Sequence, residues 1–297
     1  MALRLGSSTP SKLYLGATEV TKAYLGASEV YSSGAAAWTP ADLGASLALW
    51  LDADDASTIT INGSTVSKWD DKSGNARHVS QATAANQPNY TASGLNGKQV
   101  ITFDGTNDAL INASAGLMRA VSGATAVMVM SRAANLAAGS DALWIGTSVG
   151  NARLVMGVRI GLAAPGEGFT SGGRRLSTDS FQTVTGFAYT SNPIIAAARH
   201  DYANTNLEIW QDGTAGASRV YQTAGVTDNN AGPLSVGAGN VAGTGAPFNG
   251  YIAEITLVHS ALSTTDRQKL EGYLAHKWGL ETNLPAGHPY KTTPPTV

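Results

Sequence analysis

Alternation of apolar and polar positions, with turn residues between, runs through most of the chain and predicts a β-protein. Leu47-Ala-Leu-Trp-Leu51 reads as a strand, and residues 58–61 and 64–69 flank Asn62-Gly63, a strong short-range hairpin signal. Further strand-like runs cover 100–103, 124–130, 142–145, 153–160, 184–189, 194–199, 207–210, 234–236 and 251–258, with Gly, Asn, Asp and Pro between them. Many short strands at this spacing predict a sandwich or jelly roll. One segment leaves the period of two. Leu270, Tyr273, Leu274 and Trp278 share a face at helical spacing. Ser263 can cap that helix with Asp266 three residues on, and Lys277 and Gly279 suit its end. It is expected to dock on the sandwich. Thr39-Pro40 looks like a cap followed by proline at a first helical position, opening a single turn at 41–43.

The N-terminal pattern is different. Leu5-Gly6, Leu15-Gly16 and Leu25-Gly26 recur every ten residues, and Lys12/Lys22, Tyr14/Tyr24, Glu19/Glu29 and Val20/Val30 keep that register. So short a repeat cannot bury an apolar face by itself and has to stack on copies of itself or on a partner. Short strands are expected at 12–15 and 21–25. Tyr14, Leu15, Tyr24, Leu25 and Val30 are the expected buried anchors, and a neighbouring chain would satisfy the unpaired strand edges. Four segments follow: an arm at 1–31, a small-residue linker at 32–46, the sandwich at 47–290 and an extended, proline-containing tail at 291–297.

Composition points to structure or binding more than catalysis. Of 297 residues, 13% are charged, against roughly 25% in an ordinary globular protein, and 34 are glycine. A net charge of −2 offers no basic field for nucleic acid or an anionic membrane. No apolar run approaches the ~20 residues of a membrane span, and residues 1–9 lack the apolar stretch of a secretory signal. With no cysteine, thiolate chemistry is excluded.

Four stretches resemble bacterial and phage laminin-G/concanavalin-A-like domains. They are Leu49-Trp-Leu-Asp-Ala-Asp-Asp55 with residues 66–75, then Val100–Asp108, then Leu207-Glu-Ile-Trp-Gln-Asp-Gly213. The fourth is Gly250-Tyr-Ile-Ala-Glu-Ile255 with Glu271–Gly279. The resemblance implies a concanavalin-A-like jelly-roll sandwich with one C-terminal docking helix. That family binds sugars, proteins or nothing known. The decapeptide arm resembles the N-termini of tailed-phage virion proteins such as head fibres, decoration proteins and tail appendages. It implies attachment to other virion proteins through residues 1–31 and assembly in the host cytoplasm, where no secretion signal is needed.

Residues with candidate chemistry have plainer readings beside them. Gly146-Thr-Ser-Val-Gly150 matches a nucleophile-elbow pattern, but a strand, not a helix, is expected after it, so Ser148 reads as part of a turn. Gly237-Ala-Gly-Asn-Val-Ala242 mimics a dinucleotide loop without the following helix. The alternating carboxylates of sandwich-fold glucanases are missing, and Glu254 stands alone on its strand. Asp104 and Asp108 invite a calcium reading, with Asp52, Asp54, Asp70 and Asp71 as further oxygens; turn capping by Asp and Asn is the favoured reading, because a two-carboxylate loop falls short of calcium's coordination number. The five histidines are scattered. Trp50, Trp69, Trp210 and Trp278 read as core, while Trp144 and Tyr221 are candidates to stack on a sugar ring.

The expectation is a phage virion structural protein with no catalytic residue, metal or cofactor, displaying a lectin-like domain that can hold a cell-surface glycan. Homo-oligomerisation is expected, with a trimer as the simplest fibre-like arrangement. A stand-alone carbohydrate-binding module is the alternative, and a glycan hydrolase a more distant one.

Overall fold

The structure is a computed structural model that describes residues 12–15, 17–20, 22–25, 28–32, 36–133, 140–146, 152–159, 168–188, 190–229, 232–240, 242 and 245–297. The chain divides into two units, one of residues 1–38 with 295–297 and one of residues 39–294.

The larger unit is an antiparallel β-sandwich. One layer is built around the strand Asn249–Val258, whose alternating Ile252, Ile255 and Leu257 belong to the core. It pairs on one edge with Gly123–Arg132. Its other edge takes Lys98–Asp104 near its start and Leu47–Asp52 near its end. Beyond Gly123–Arg132 follow Ile194–Asp201, Asn206–Gln211 and Thr214–Val220. The second layer runs Leu110–Leu117, Gly232–Val236, Ser140–Gly146, Ala152–Arg159, Gly168–Gly173 and Gln182–Gly186. The Asn62–Gly63 hairpin, Ile59–Asn62 with Thr65–Trp69, joins that layer through Val79–Ser80. Pairings through Asn89–Leu95 link the layers, so the ladder closes in barrel-like fashion. Met128, Ile255 and Leu51 stand in one cross-strand row of the first layer and bury against Leu143, Leu154 and Leu234 of the second.

The pattern-predicted strands are present, several one to three residues longer, while the run 184–189 becomes Gln182–Gly186. Besides the short Val79–Ser80, four further strands of the larger unit had no clear pattern: Asn89–Leu95, Leu110–Leu117, Gly168–Gly173 and Thr214–Val220. Their Gly, Ala, Ser and Asn content hides the alternation. Gly168–Gly173 is buried throughout, and its small residues are what let it fit. A Cβ on Gly173 would lie 2.0 Å from the Arg153 carbonyl oxygen.

The C-terminal helix spans Thr264–Trp278. The Asp266 backbone N–H donates to Ser263 Oγ at 3.1 Å, the expected N-cap bond. Gly279 ends the helix in the left-handed region at φ 67°, where a side chain would be strained. Leu270, Leu274 and Trp278 are fully buried, so the predicted face is the docked one. Upstream, Pro40–Ser46 is a 3₁₀ helix whose start is held by the Thr39 N–H donating to Asp42 Oδ2 at 2.7 Å.

The smaller unit holds two hairpins. Leu13–Leu15 pairs with Thr18–Val20, and Lys22–Leu25 with Ser28–Ser32. Ala37 bridges Thr296 of the tail, and the Trp38 N–H donates to the Pro295 carbonyl at 3.0 Å.

Candidate functional site

Two polar clusters in the sandwich carry the groups that catalysis would need. The first surrounds Glu254, a carboxylate in an otherwise apolar strand and fully buried. Its Oε1 accepts from Trp50 Nε1 at 2.7 Å and from the Tyr273 hydroxyl at 3.1 Å. Its Oε2 accepts from Lys277 Nζ at 2.6 Å and Trp278 Nε1 at 2.8 Å. Lys277 also contacts Asp52 Oδ1 at 2.6 Å, and Lys72 holds Asp52 Oδ2 at 2.8 Å. Burial pushes the Glu254 carboxyl up, and Lys277 pulls it back down. A carboxylate saturated by four donors and closed to solvent has no lone pair for a substrate proton. What it does is pin the helix to the sheet, because Tyr273, Lys277 and Trp278 all come from the helix.

The second cluster lies between the layers. Ser171 Oγ and His200 Nε2 are 3.0 Å apart, and His200 Nδ1 is 2.6 Å from the Tyr221 hydroxyl. The Tyr202 hydroxyl donates to the Arg153 carbonyl at 2.6 Å. Ser, His and Tyr in this order look like nucleophile, base and orienting group. All three are buried, and burial alone drives His200 down to about 3, so it stays neutral. Buried and bonded to one another, these side chains form a hydrogen-bonded core.

The two residues expected to stack on a sugar are buried in this fold. Trp144 and Tyr221 are each 3% exposed, so neither presents a ring face to solvent. Trp144 packs with Val155 and Phe181, and Tyr221 lies 4.9 Å from the Tyr202 ring. A stacking role for either is corrected here: these rings belong to the packing. Trp50, Trp69, Trp210 and Trp278 are buried as expected.

Asp104 and Asp108 cap a turn. Asp104 Oδ1 accepts from the N–H groups of Thr106 at 2.7 Å and Asn107 at 3.3 Å, and Asp108 Oδ2 from the N–H of Asp104 at 2.9 Å. The other acidic residues named with them are engaged too. Asp54 binds Lys98, Asp70 binds Lys68, and Asp71 accepts from the N–H groups of Trp50, Ser73 and Arg77. Among the described residues, no three His, Asp or Glu are grouped to hold a metal ion. Ser148 lies outside the described residues. After Gly237 the next described regular element is the strand Asn249–Val258. No helix among the described residues is long and apolar enough to cross a membrane.

The arm presents the opposite situation. Tyr14 is 54% exposed, Leu15 80%, Tyr24 56% and Leu25 65%. Val30 lies in the strand Ser28–Ser32, and its side chain lies outside what is described. These four are half of the eight large hydrophobics exposed among the described residues, gathered between positions 14 and 25. Exposed apolar residues scattered singly are ordinary; here they recur at the same two positions of each period.

Sequence reasoning missed the Glu254 cluster. The signal that could have found it is a lone carboxylate inside Ile252-Ala-Glu-Ile-Thr-Leu-Val258, which demands buried partners. Trp and Tyr, with one polar end each, are natural donors for it.

No protein-family model and no curated protein matches the chain. Solved structures do. Domain 4 of an extracellular arabinanase from Geobacillus stearothermophilus, in complex with arabinotriose, aligns with a TM-score of 0.52 at 13% identity, covering 76% of this chain and 98% of that one. The binding domain of paraclostridial mosquitocidal protein 1 aligns with a TM-score of 0.51 at 11% identity, covering 77% of this chain and 52% of that one. A sialidase module of Ruminococcus gnavus bound to α2,3-sialyllactose gives a TM-score of 0.46 at 15% identity, covering 56% and 92%. At these identities the likeness is one of fold: the chain is an all-β jelly-roll sandwich with a C-terminal docking helix and an N-terminal β-repeat arm.

Proposed function

We propose that this is a non-enzymatic binding protein in which the arm joins the chain to an assembly and the sandwich is displayed to hold a glycan. The observation that carries the reading is the pairing of a repeated, solvent-facing apolar arm with a lectin-type sandwich. Sugar recognition is supported by the fold it shares with a domain solved in complex with arabinotriose. A role without catalysis is supported by Glu254 and the Ser171–His200–Tyr221 group, whose polar atoms are spent on internal bonds. The assembly we favour is a tailed-phage virion, with the protein as head fibre, decoration or tail appendage, on the strength of the decapeptide arm.

Two experiments test the reading. The full chain on a broad glycan array is expected to bind a defined set of glycans, and silence across the array would remove the sugar-binding half. Purified particles are expected to contain the polypeptide, and its absence from them would remove the virion half. New reducing ends from incubation with host polysaccharide would overturn the non-enzymatic assignment.

A further inference from the structure

The ten-residue period is one β-hairpin. Tyr14 pairs with Glu19 and Leu15 with Thr18 in the first; Tyr24 pairs with Glu29 and Leu25 with Ser28 in the second. The same residue types therefore meet at the same places, one step and two steps from each turn. Adjacent residues of a strand point to opposite faces. Each hairpin accordingly shows a tyrosine on one face and a leucine on the other, all four more than half exposed. An isolated two-stranded hairpin is marginal in water and gains stability from more strands or a packed layer. One apolar face would be covered by a single partner surface. Two apolar faces call for a layer on each side.

Charge selects the occupant. Each of the two described hairpins carries one lysine and one glutamate, Lys12 with Glu19 and Lys22 with Glu29, so each is neutral in formal charge. A uniformly acidic or basic partner gains nothing against such a surface. A second copy of the same unit offers both signs of charge at the same spacing, as a two-fold contact requires. Two units in tandem let one arm engage another through linked contacts, and the second closes at high effective concentration.

The geometry points to the two arm hairpins, Leu13–Leu15 with Thr18–Val20 and Lys22–Leu25 with Ser28–Ser32, as a self-association site: each stacks against hairpins of further copies of this chain through its tyrosine face and its leucine face. This rests on the reading of the arm as an assembly element and names its partner. It does not depend on what the sandwich binds.

The test is sedimentation equilibrium of the full chain, whose monomer is 30.4 kDa. A mass that is a multiple of the monomer's is expected at micromolar concentration. Replacing Tyr14, Leu15, Tyr24 and Leu25 by serine should weaken association by a hundredfold or more, as expected for losing roughly four half-buried apolar contacts. Because those changes can also unfold the hairpins, a second measurement uses the absence of native cysteine. Leu15→Cys and Leu25→Cys should each give disulfide-linked dimers on mild oxidation at the same concentration. Ile61→Cys, at a sandwich position 55% exposed, should not. A monomeric full chain, or equal cross-linking at all three positions, would overturn the inference. A chain that is monomeric in solution yet joins particles would overturn self-association alone and leave the arm's attachment role standing.

Discussion

The sandwich and the arm solve the same problem in opposite ways. In the sandwich a carboxylate without solvent is matched by four donors from two elements, and apolar rows from two layers close over one another. In the arm, two hairpins with the same pairing next to the turn leave Tyr14, Leu15, Tyr24 and Leu25 facing water. Long-range pairings, such as Trp50 with Glu254, make the sandwich cooperative, whereas the arm's pairings span no more than ten residues and carry little cooperative stability. Cooperative folding thus resides in the sandwich, and the arm is the region we propose for association.

The largest expected effect comes from breaking the self-contained region. Glu254→Ala leaves the Lys277 charge, two indole N–H groups and the Tyr273 hydroxyl short of their acceptor, a loss of about 3–5 kcal/mol. Denaturant unfolding would measure it, and the helix should loosen first, read as earlier quenching of Trp278. A loss below about 1 kcal/mol would mean that the cluster does not hold the helix.

A smaller effect concerns acid. Burial drives His200 down to about 3 and His259 to about 4. Both are neutral in the fold and take up protons in the unfolded chain below about pH 6.5. Between about pH 6.5 and 4 the unfolded state then binds more protons, so stability falls as pH falls. Asp212 opposes this trend. Burial raises it to about 6, so its folded carboxyl is protonated before the unfolded one. His200→Gln should flatten the fall of Tm with acid across that window. An unchanged slope would show that His200 does not contribute to it.

The smallest effect on folding is expected from the arm. Serine at Tyr14 and Leu15 removes exposed side chains and should leave the sandwich melting transition within about 0.5 kcal/mol of the original. A larger shift would mean that the two regions are energetically joined and would break the comparison.

Much of this was legible in the sequence. Alternation gave most strands, Asn62-Gly63 its hairpin, and Ser263, Asp266 and Gly279 the helix with both caps. The Gly-rich strand 168–173 was not legible, because its burial is set by the close approach of Arg153, a contact between distant residues. Nor were the partners of Glu254, which arrive from positions about 20 and 200 residues away. The exposed tyrosine-leucine surface of the arm was visible as a repeat; that each period is one hairpin required the strand register. For Trp144 and Tyr221, residue type suggested a sugar platform, but accessibility is a property of the assembled layers.

Sedimentation velocity of the chain lacking residues 1–31, run beside the full chain, reads folding and association together. The account predicts a single compact monomer for the shortened chain and a multiple of 30.4 kDa for the full one. A shortened chain that sediments as an expanded coil, or at the same multiple as the full chain, would contradict it.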